Sequence, residues 1–188
     1  MNLTRPLIDD VELRLIRPED AASFCAAQAR SREQLGPWEP RRADEWYDPA
    51  FQADRIKGLL ERDNVIPWVL AAGDRVIGTA TLSNIVAGAW RSGDIGYWVD
   101  VTEVGKGLAS AAVAAVCDLA DTELLLHRIA ASTGTDNERS QRVLTKVGFE
   151  QYGFARDYLH IDGAWRDSKL YQRILNTREP GQAPSTAG

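Results

Sequence analysis

The sequence predicts an α/β fold in which strands and helices interleave along one chain. Three observations carry this expectation. The alternating run Val11-Glu-Leu-Arg-Leu-Ile-Arg17 gives way at Pro18-Glu-Asp-Ala to a helix start with proline and acidic residues in its first turn. Two β-type runs are joined through Gly73-Asp74 and two more through Asp162-Gly163, pairs that suit two-residue hairpin loops and so make antiparallel neighbours. Between the hairpins, the run from Gly107 to Ala120 holds six alanines from Ala109 onward with Leu108, Val113 and Val116, and a helix apolar almost all round is a buried one.

Taken in order, a first strand over residues 11–17 leads to a helix that runs to about Arg32. Residues 33–48 combine Gly36, Pro37 and Pro40 with Trp38, Trp46 and Tyr47, a composition that breaks regular structure while carrying large rings. Helical spacing resumes at Phe51, Ile56, Leu59 and Leu60. Strands are expected over 67–72 and 75–83, then over Ile95 to Val99, followed by a short polar turn and the buried helix. His127 to Ser132 reads as another strand, and Asn137 to Lys146 as a helix closed by Gly148 in the manner of a C-terminal glycine cap. The last hairpin pairs Tyr158–Ile161 with Ala164–Ile174. No internal repeat or interior linker splits the chain, so residues 1–175 read as one domain. Residues 176–188, with two prolines, two glycines and no apolar period, read as a disordered tail.

The bulk properties narrow the function. A chain of 188 residues with 44% apolar and 26% charged residues can bury one sizeable core. A formal charge of -5 offers no basic field for a phosphate backbone, so nucleic acid is not expected as a direct ligand, whereas a basic peptide or an amine is well received. Cys25 and Cys117 form no CxxC or ligand cluster, and neither a disulfide scaffold nor a metal is expected. Asp9, Asp10 and Glu12 stand where a signal peptide needs an apolar run, and no stretch approaches the ~20 apolar residues of a membrane span. The expected compartment is the cytoplasm.

The segment Glu103-Val104-Gly105-Lys106-Gly107-Leu108-Ala109 carries the chemistry. A strand, a turn with two glycines and a buried helix make an anion site, because N–H groups at the helix start point outward and the dipole adds positive potential. Lys106 adds charge there, or is simply a surface lysine at a turn. No GxxxxGK[ST] occurs, and the dinucleotide GxGxxG pattern fails because Ser110 takes its last glycine position.

Gly96-Tyr97-Trp98-Val99, then Gly105-Lys106-Gly107-Leu108-Ala109, then Asn137-Glu-Arg-Ser140 and Lys146-Val-Gly-Phe149 resemble, in order and spacing, the motif set of the GNAT superfamily of N-acetyltransferases. Ser31-Arg-Glu-Gln-Leu-Gly-Pro-Trp-Glu-Pro40, Ser83-Asn-Ile-Val86 and residues 158–167 are similar to the branch of ribosomal-protein-alanine N-acetyltransferases. The similarity spans roughly Val11 to Ile174. It implies a mixed, mostly antiparallel sheet of about seven strands flanked by helices, with splayed central strands. It further implies that acetyl-CoA is the donor, with the pantetheine arm against Ile95, Gly96, Tyr97, Trp98 and Val99. The pyrophosphate would lie on Val104, Gly105, Lys106, Gly107, Leu108, Ala109 and Ser110, with Asn137 and Ser140 on the far side of the arm. The implied acceptor is a primary amine, above all the N-terminal α-amine of a ribosomal protein. A small-molecule amine or antibiotic is the alternative acceptor, and a non-catalytic acyl-CoA sensor is the alternative of another class. Either a monomer or a homodimer fits.

Two departures from the family pattern matter. Thr102 replaces a long Gln or Arg side chain three residues before the first motif glycine, and Leu144 stands where many members place the tyrosine that protonates the leaving thiolate. Ser140 shares a helical face with Val143, Leu144 and Val147, so its hydroxyl either points inward to the thioester as proton donor or bonds its own helix backbone. Little acid strength is needed, since a thiol of pKa about 8.5 leaves readily. An α-amine of pKa about 7.7–8.0 likewise needs only a modest base. Glu39 and Asp157 are the candidates, and Trp38 is the candidate acceptor-groove ring. No acid-base partner is recognisable for His127 or His160.

Overall fold

The structure, a computed structural model, describes residues 2–182. Its strands are β1 (Arg5–Pro6), β2 (Val11–Leu15), β3 (Ile66–Ala72), β4 (Arg75–Val86), β5 (Ser92–Val99), β6 (Arg128–Gly134), β7 (Glu150–Ile161) and β8 (Ala164–Ile174). They form one sheet in the order β1-β2-β3-β4-β5-β6-β8-β7. The helices are α1 (Ala21–Arg30), α2 (Arg32–Leu35), α3 (Pro49–Leu60), α4 (Leu108–Thr122) and α5 (Glu138–Lys146). Strand β3 shows why helices lie on both faces. Its near-continuous apolar run sends Trp68 and Leu70 into a core shared with α4 and α5, and Val69 and Ala71 into a second core with α1 and α3.

All neighbours are antiparallel except β5 and β6, which are parallel and meet only through Ser92↔Arg128, Gly93↔Ile129 and Asp94↔Ala130. Beyond these pairs β5 stays on β4 as far as Gly78↔Val99, while β6 stays on β8 as far as Gly134↔Ser168. The two central strands therefore part after Asp94 and Ala130. One backbone edge of Ile95 to Val99 is left without a strand partner.

The sheet has eight strands rather than about seven, because the two-residue β1 adds to the N-terminal edge. Strand β7 begins at Glu150 instead of Tyr158, its alternation being hidden by register shifts at Gln151/Gly153 and Ala155/Leu159. Residues 33–48 are not wholly irregular. They hold most of α2 and a 3-10 turn over Asp44–Tyr47, fixed where Trp46 meets Phe24 edge to face and Arg42 lies 3.8 Å over the Trp46 ring. The expected tail also needs correcting at its start. Asn176 donates to Leu126 O and Asp121, Arg178 pairs with Asp121, and Arg91 donates to the carbonyls of Arg178 and Glu179. Residues 183–188 lie outside the described residues.

Strand β5 ends on a buried anchor. The Asp100 carboxylate, with no side-chain exposure, accepts from Arg30 at 2.5 Å and from Thr102 N and Thr102 Oγ1 at 3.0 Å, while buried Ser31 accepts from Val101 N at 3.0 Å. Burial acts to raise this carboxyl, but the hydrogen bonds from Arg30 and Thr102 prevail and hold it below the usual range. Asp100→Ala is expected to cost about 1–3 kcal/mol by removing the acceptor that Arg30 and Thr102 share. Urea titration checks this. Because the folded-state pKa is depressed, the contribution is present above the ordinary value near ~3.9 and lost as pH falls through the folded value.

Candidate acyl-CoA site

The 3-10 turn Val101–Glu103 delivers the chain from Asp100 into Val104-Gly105-Lys106-Gly107. Gly105 has φ +89° and Gly107 φ +82°, left-handed conformations that L side chains rarely adopt. Gly107 is the N-cap of α4, so no side chain caps the helix, and its first turn carries no acid. Ala111 N is the first to close a helical bond, to Gly107 O, and the N–H groups of residues 104–110 find no acceptor among the described residues. Their number and the helix dipole suit a pyrophosphate. Lys106 is less free than its place in the motif implies, because its ammonium lies 2.6 Å from Glu103 Oε2. Thr102 supports the turn through Asp100 in place of a long side chain.

A cleft of about 610 Å³ borders this turn, lined by Gly107, Ser110 and Ala111 on one side and by Lys146, Gly148 and Arg173 on the other. Beside it lies the gap between the parted strands. Gly96, exposed in mid-strand, has nothing within 4 Å of where a β-carbon would be. On the facing wall, Thr133 is buried and its hydroxyl has no partner among the described residues. An orphaned hydroxyl and an unpaired strand edge fit a ligand with amide groups, such as a pantetheine arm.

Helix α5 closes the gap. Asn137 caps it by accepting from Ser140 N at 3.1 Å through Oδ1, and its amide Nδ2 has no partner among the described residues. Leu144 is fully buried with Val143 and Val147 packed beside it, so the face carrying Ser140 does turn inward. The Ser140 hydroxyl does not bond its own helix. It lies 2.9 Å from the phenol of Tyr97, across the gap on β5, and burial pushes that phenol up to about 12, against the smaller opposing effect of the Ser140 hydrogen bond.

Trp38 stands at the end of β6, with Glu39 next to it in the chain. The Trp38 ring lies over Gly134, the last residue of β6, so close that a β-carbon there would meet it at 3.5 Å. Glu39 is part-buried beside it, 4.0 Å from Arg42, and burial pushes its carboxyl up against the smaller pull of Arg42. Arg41 ties the same loop to the last hairpin by a 3.0 Å contact with Asp162. Asp157 is not brought into this arrangement. It is exposed in the register shift of β7 with φ +48°, and its N–H donates to Asp167 at 3.0 Å. His127 donates its Nδ1–H to Asn176 O, and His160 meets Trp165 edge to face with ring centroids 5.5 Å apart, so both have structural partners.

Sequence reasoning passed over two residues. The Tyr97 side chain was masked by the role its backbone holds in the strand. Asp94, the last paired residue before β5 and β6 part, accepts from Asn84 Nδ2 at 2.9 Å, and alternation puts it on the sheet face opposite Tyr97. The signal available for it was its place directly before Ile95.

The model of the acetyltransferase (GNAT) domain family matches residues 10–150. The chain belongs to the GNAT acetyltransferases. This acetyltransferase is 36% identical to a probable N-acetyltransferase of Bacillus subtilis, over 88% of the chain and 94% of the relative. It is 34% identical to the ribosomal protein uS5 alanine N-acetyltransferase of Escherichia coli, over 93% of the chain and 92% of the relative. Among solved structures, the ribosomal-protein-S5-alanine acetyltransferase of Vibrio fischeri superposes with TM-score 0.90 at 32% identity, covering 95% of this chain and 100% of that one. A Mycobacterium smegmatis RimJ in complex with CoA-disulfide superposes with TM-score 0.86 at 34% identity, covering 91% and 86%. The acetyltransferase has no described helix long and apolar enough to cross a membrane.

Proposed function

We propose that this acetyltransferase moves acetyl from acetyl-CoA to the N-terminal α-amine of a protein, with ribosomal proteins as the first acceptors to test. The observation that carries the donor side is the parted β5–β6 gap together with a helix N-terminus whose N–H groups have no acceptor among the described residues. Pyrophosphate is assigned to the backbone of residues 104–110 and the pantetheine arm to the edge of Ile95–Val99, with Thr133 and Asn137 Nδ2 as polar partners. The acceptor assignment draws on two of the relatives above, the Escherichia coli and Vibrio fischeri proteins, whose names specify alanine of ribosomal protein S5.

The reaction follows from the residues at the gap. The amine lone pair attacks the thioester carbonyl carbon, and a backbone N–H of Ile95–Val99 holds the oxyanion. The C–S bond then breaks with its electron pair going to sulfur, which Ser140 Oγ–H meets as a hydrogen-bond donor. The amine gives up its proton to Glu39, whose affinity for protons burial raises above that of an ordinary carboxylate. An α-amine of pKa about 7.7–8.0 is appreciably neutral at that pH, whereas a lysine of about 10.4 is not.

Matched peptides decide the acceptor. After incubation with acetyl-CoA, mass spectrometry is expected to find acetyl on free α-amines, and none on the same lysine-containing peptides once the N-terminus is blocked. The net charge of -5 should favour basic peptides, less so at high salt. Acetylation confined to lysine side chains, or to a polyamine without peptide turnover, overturns the α-amine reading and leaves the donor site standing.

A further inference from the structure

We infer that the Tyr97 phenol is a positioning residue for the acetyl transfer, acting through Ser140; the inference rests on the proposed role of Ser140 at the leaving sulfur. Three features of the geometry carry it. The phenol oxygen lies 2.9 Å from Ser140 Oγ and 3.3 Å from Ser140 O, so both acceptors within its reach belong to one residue. Tyr97 has no other hydrogen-bond partner among the described residues, and neither does the Ser140 hydroxyl. The pair bridges β5 and α5 at the gap between the parted strands, on the inward face that Leu144 and Val143 share.

A serine hydroxyl has one proton and two lone pairs. Left alone on a helix it turns that proton to a carbonyl in the preceding turn. Here the phenol supplies a proton to Ser140 Oγ, which satisfies the oxygen as acceptor and leaves the serine's own O–H to aim at the departing sulfur. Tyr97 keeps its proton throughout: the phenol, pushed up to about 12 by burial, remains a donor over the whole working range. No proton is relayed through it. The C–S electron pair goes to sulfur and stays there as thiolate, held by Ser140 and later protonated by solvent. This arrangement gives a leaving-group donor to a chain whose α5 carries Leu144 at the position of the family's tyrosine.

The test is a double-mutant cycle with kcat and the KM for acetyl-CoA measured under conditions where chemistry limits the rate. Ser140→Ala is expected to lower kcat about 10-fold. Tyr97→Phe is expected to lower it roughly fivefold, with KM within about twofold and the thermal midpoint unchanged. Placed on Ser140→Ala, Tyr97→Phe should do nothing further, because the residue it acts through is gone. A Tyr97→Phe that leaves kcat intact while Ser140→Ala is slow overturns this inference alone. So does a full further loss in the double variant, or a change confined to KM and thermal stability, which marks a structural staple. If Ser140→Ala leaves kcat unchanged, the serine role and this inference fall together.

Discussion

Gly107→Val is expected to lower CoA affinity on the order of 100-fold or more while the chain still unfolds cooperatively. The reason is conformational before it is steric. Gly107 sits at φ +82°, where a β-branched residue is strained by about 1–3 kcal/mol, and the turn can relieve that strain only by rotating the backbone. Rotation there re-aims the N–H groups of residues 107–110, which are the ones without protein acceptors. Inside the protein an added β-carbon would meet only Ile8 Cδ1, at 3.4 Å, so the fold itself has little reason to fail. Calorimetry with CoA reads the loss directly. Lys106→Ala is the contrast: with its ammonium engaged by Glu103, it is expected to weaken binding only a few-fold. Unchanged affinity in Gly107→Val removes the pyrophosphate from this turn.

The contrast between Lys106 and Gly107 shows what the chain made legible. Positions that act through their backbone were readable because glycine, buried alanines and strand alternation are local signals. The glycine turn at 105–107, the buried helix α4 and the helix α5 all follow from such signals. What escaped depends on partners far apart in sequence. Thr102 reads as a lost side chain until Arg30, 70 residues before Asp100, is seen to share that carboxylate with it. Tyr97 and Ser140 are 43 residues apart, and only the parting of β5 from β6 brings their hydroxyls together. Strand β7 reads short in the sequence because two register shifts break its period, and Asn176 to Glu179 read as tail because their order comes from Asp121, Arg91 and Leu126 rather than from an apolar pattern. Asp157 is a different case. Its place beside the hairpin is an exposed bulge, whereas Glu39, two residues from the loop's ion pair with the same hairpin, is part-buried next to Trp38.

Glu39→Gln should separate catalysis from folding more sharply than any other substitution in the acceptor loop. If Glu39 takes the amine proton, the variant loses about 100-fold in kcat, since the amide cannot accept it. The stability change should run the other way. Burial raises the Glu39 pKa in the folded state, so folding stability is greatest with the carboxyl protonated and declines as pH rises from the ordinary value near ~4.3 through the raised folded value. Above the raised value the ionised side chain is therefore a destabilising feature, and there a neutral isostere is expected to leave the thermal midpoint unchanged or higher. A group that lowers stability where it sits and carries the reaction is the usual pattern of an active site. The pH profile adds an independent reading: activity of the unaltered enzyme falls as pH drops through the Glu39 pKa, and Glu39→Gln should lose that acid limb while keeping the limb set by the α-amine near ~8. A variant with undiminished kcat, or one retaining the acid limb, would transfer the base role to another group, and Asp94 at the parting of β5 and β6 is the next carboxylate to substitute.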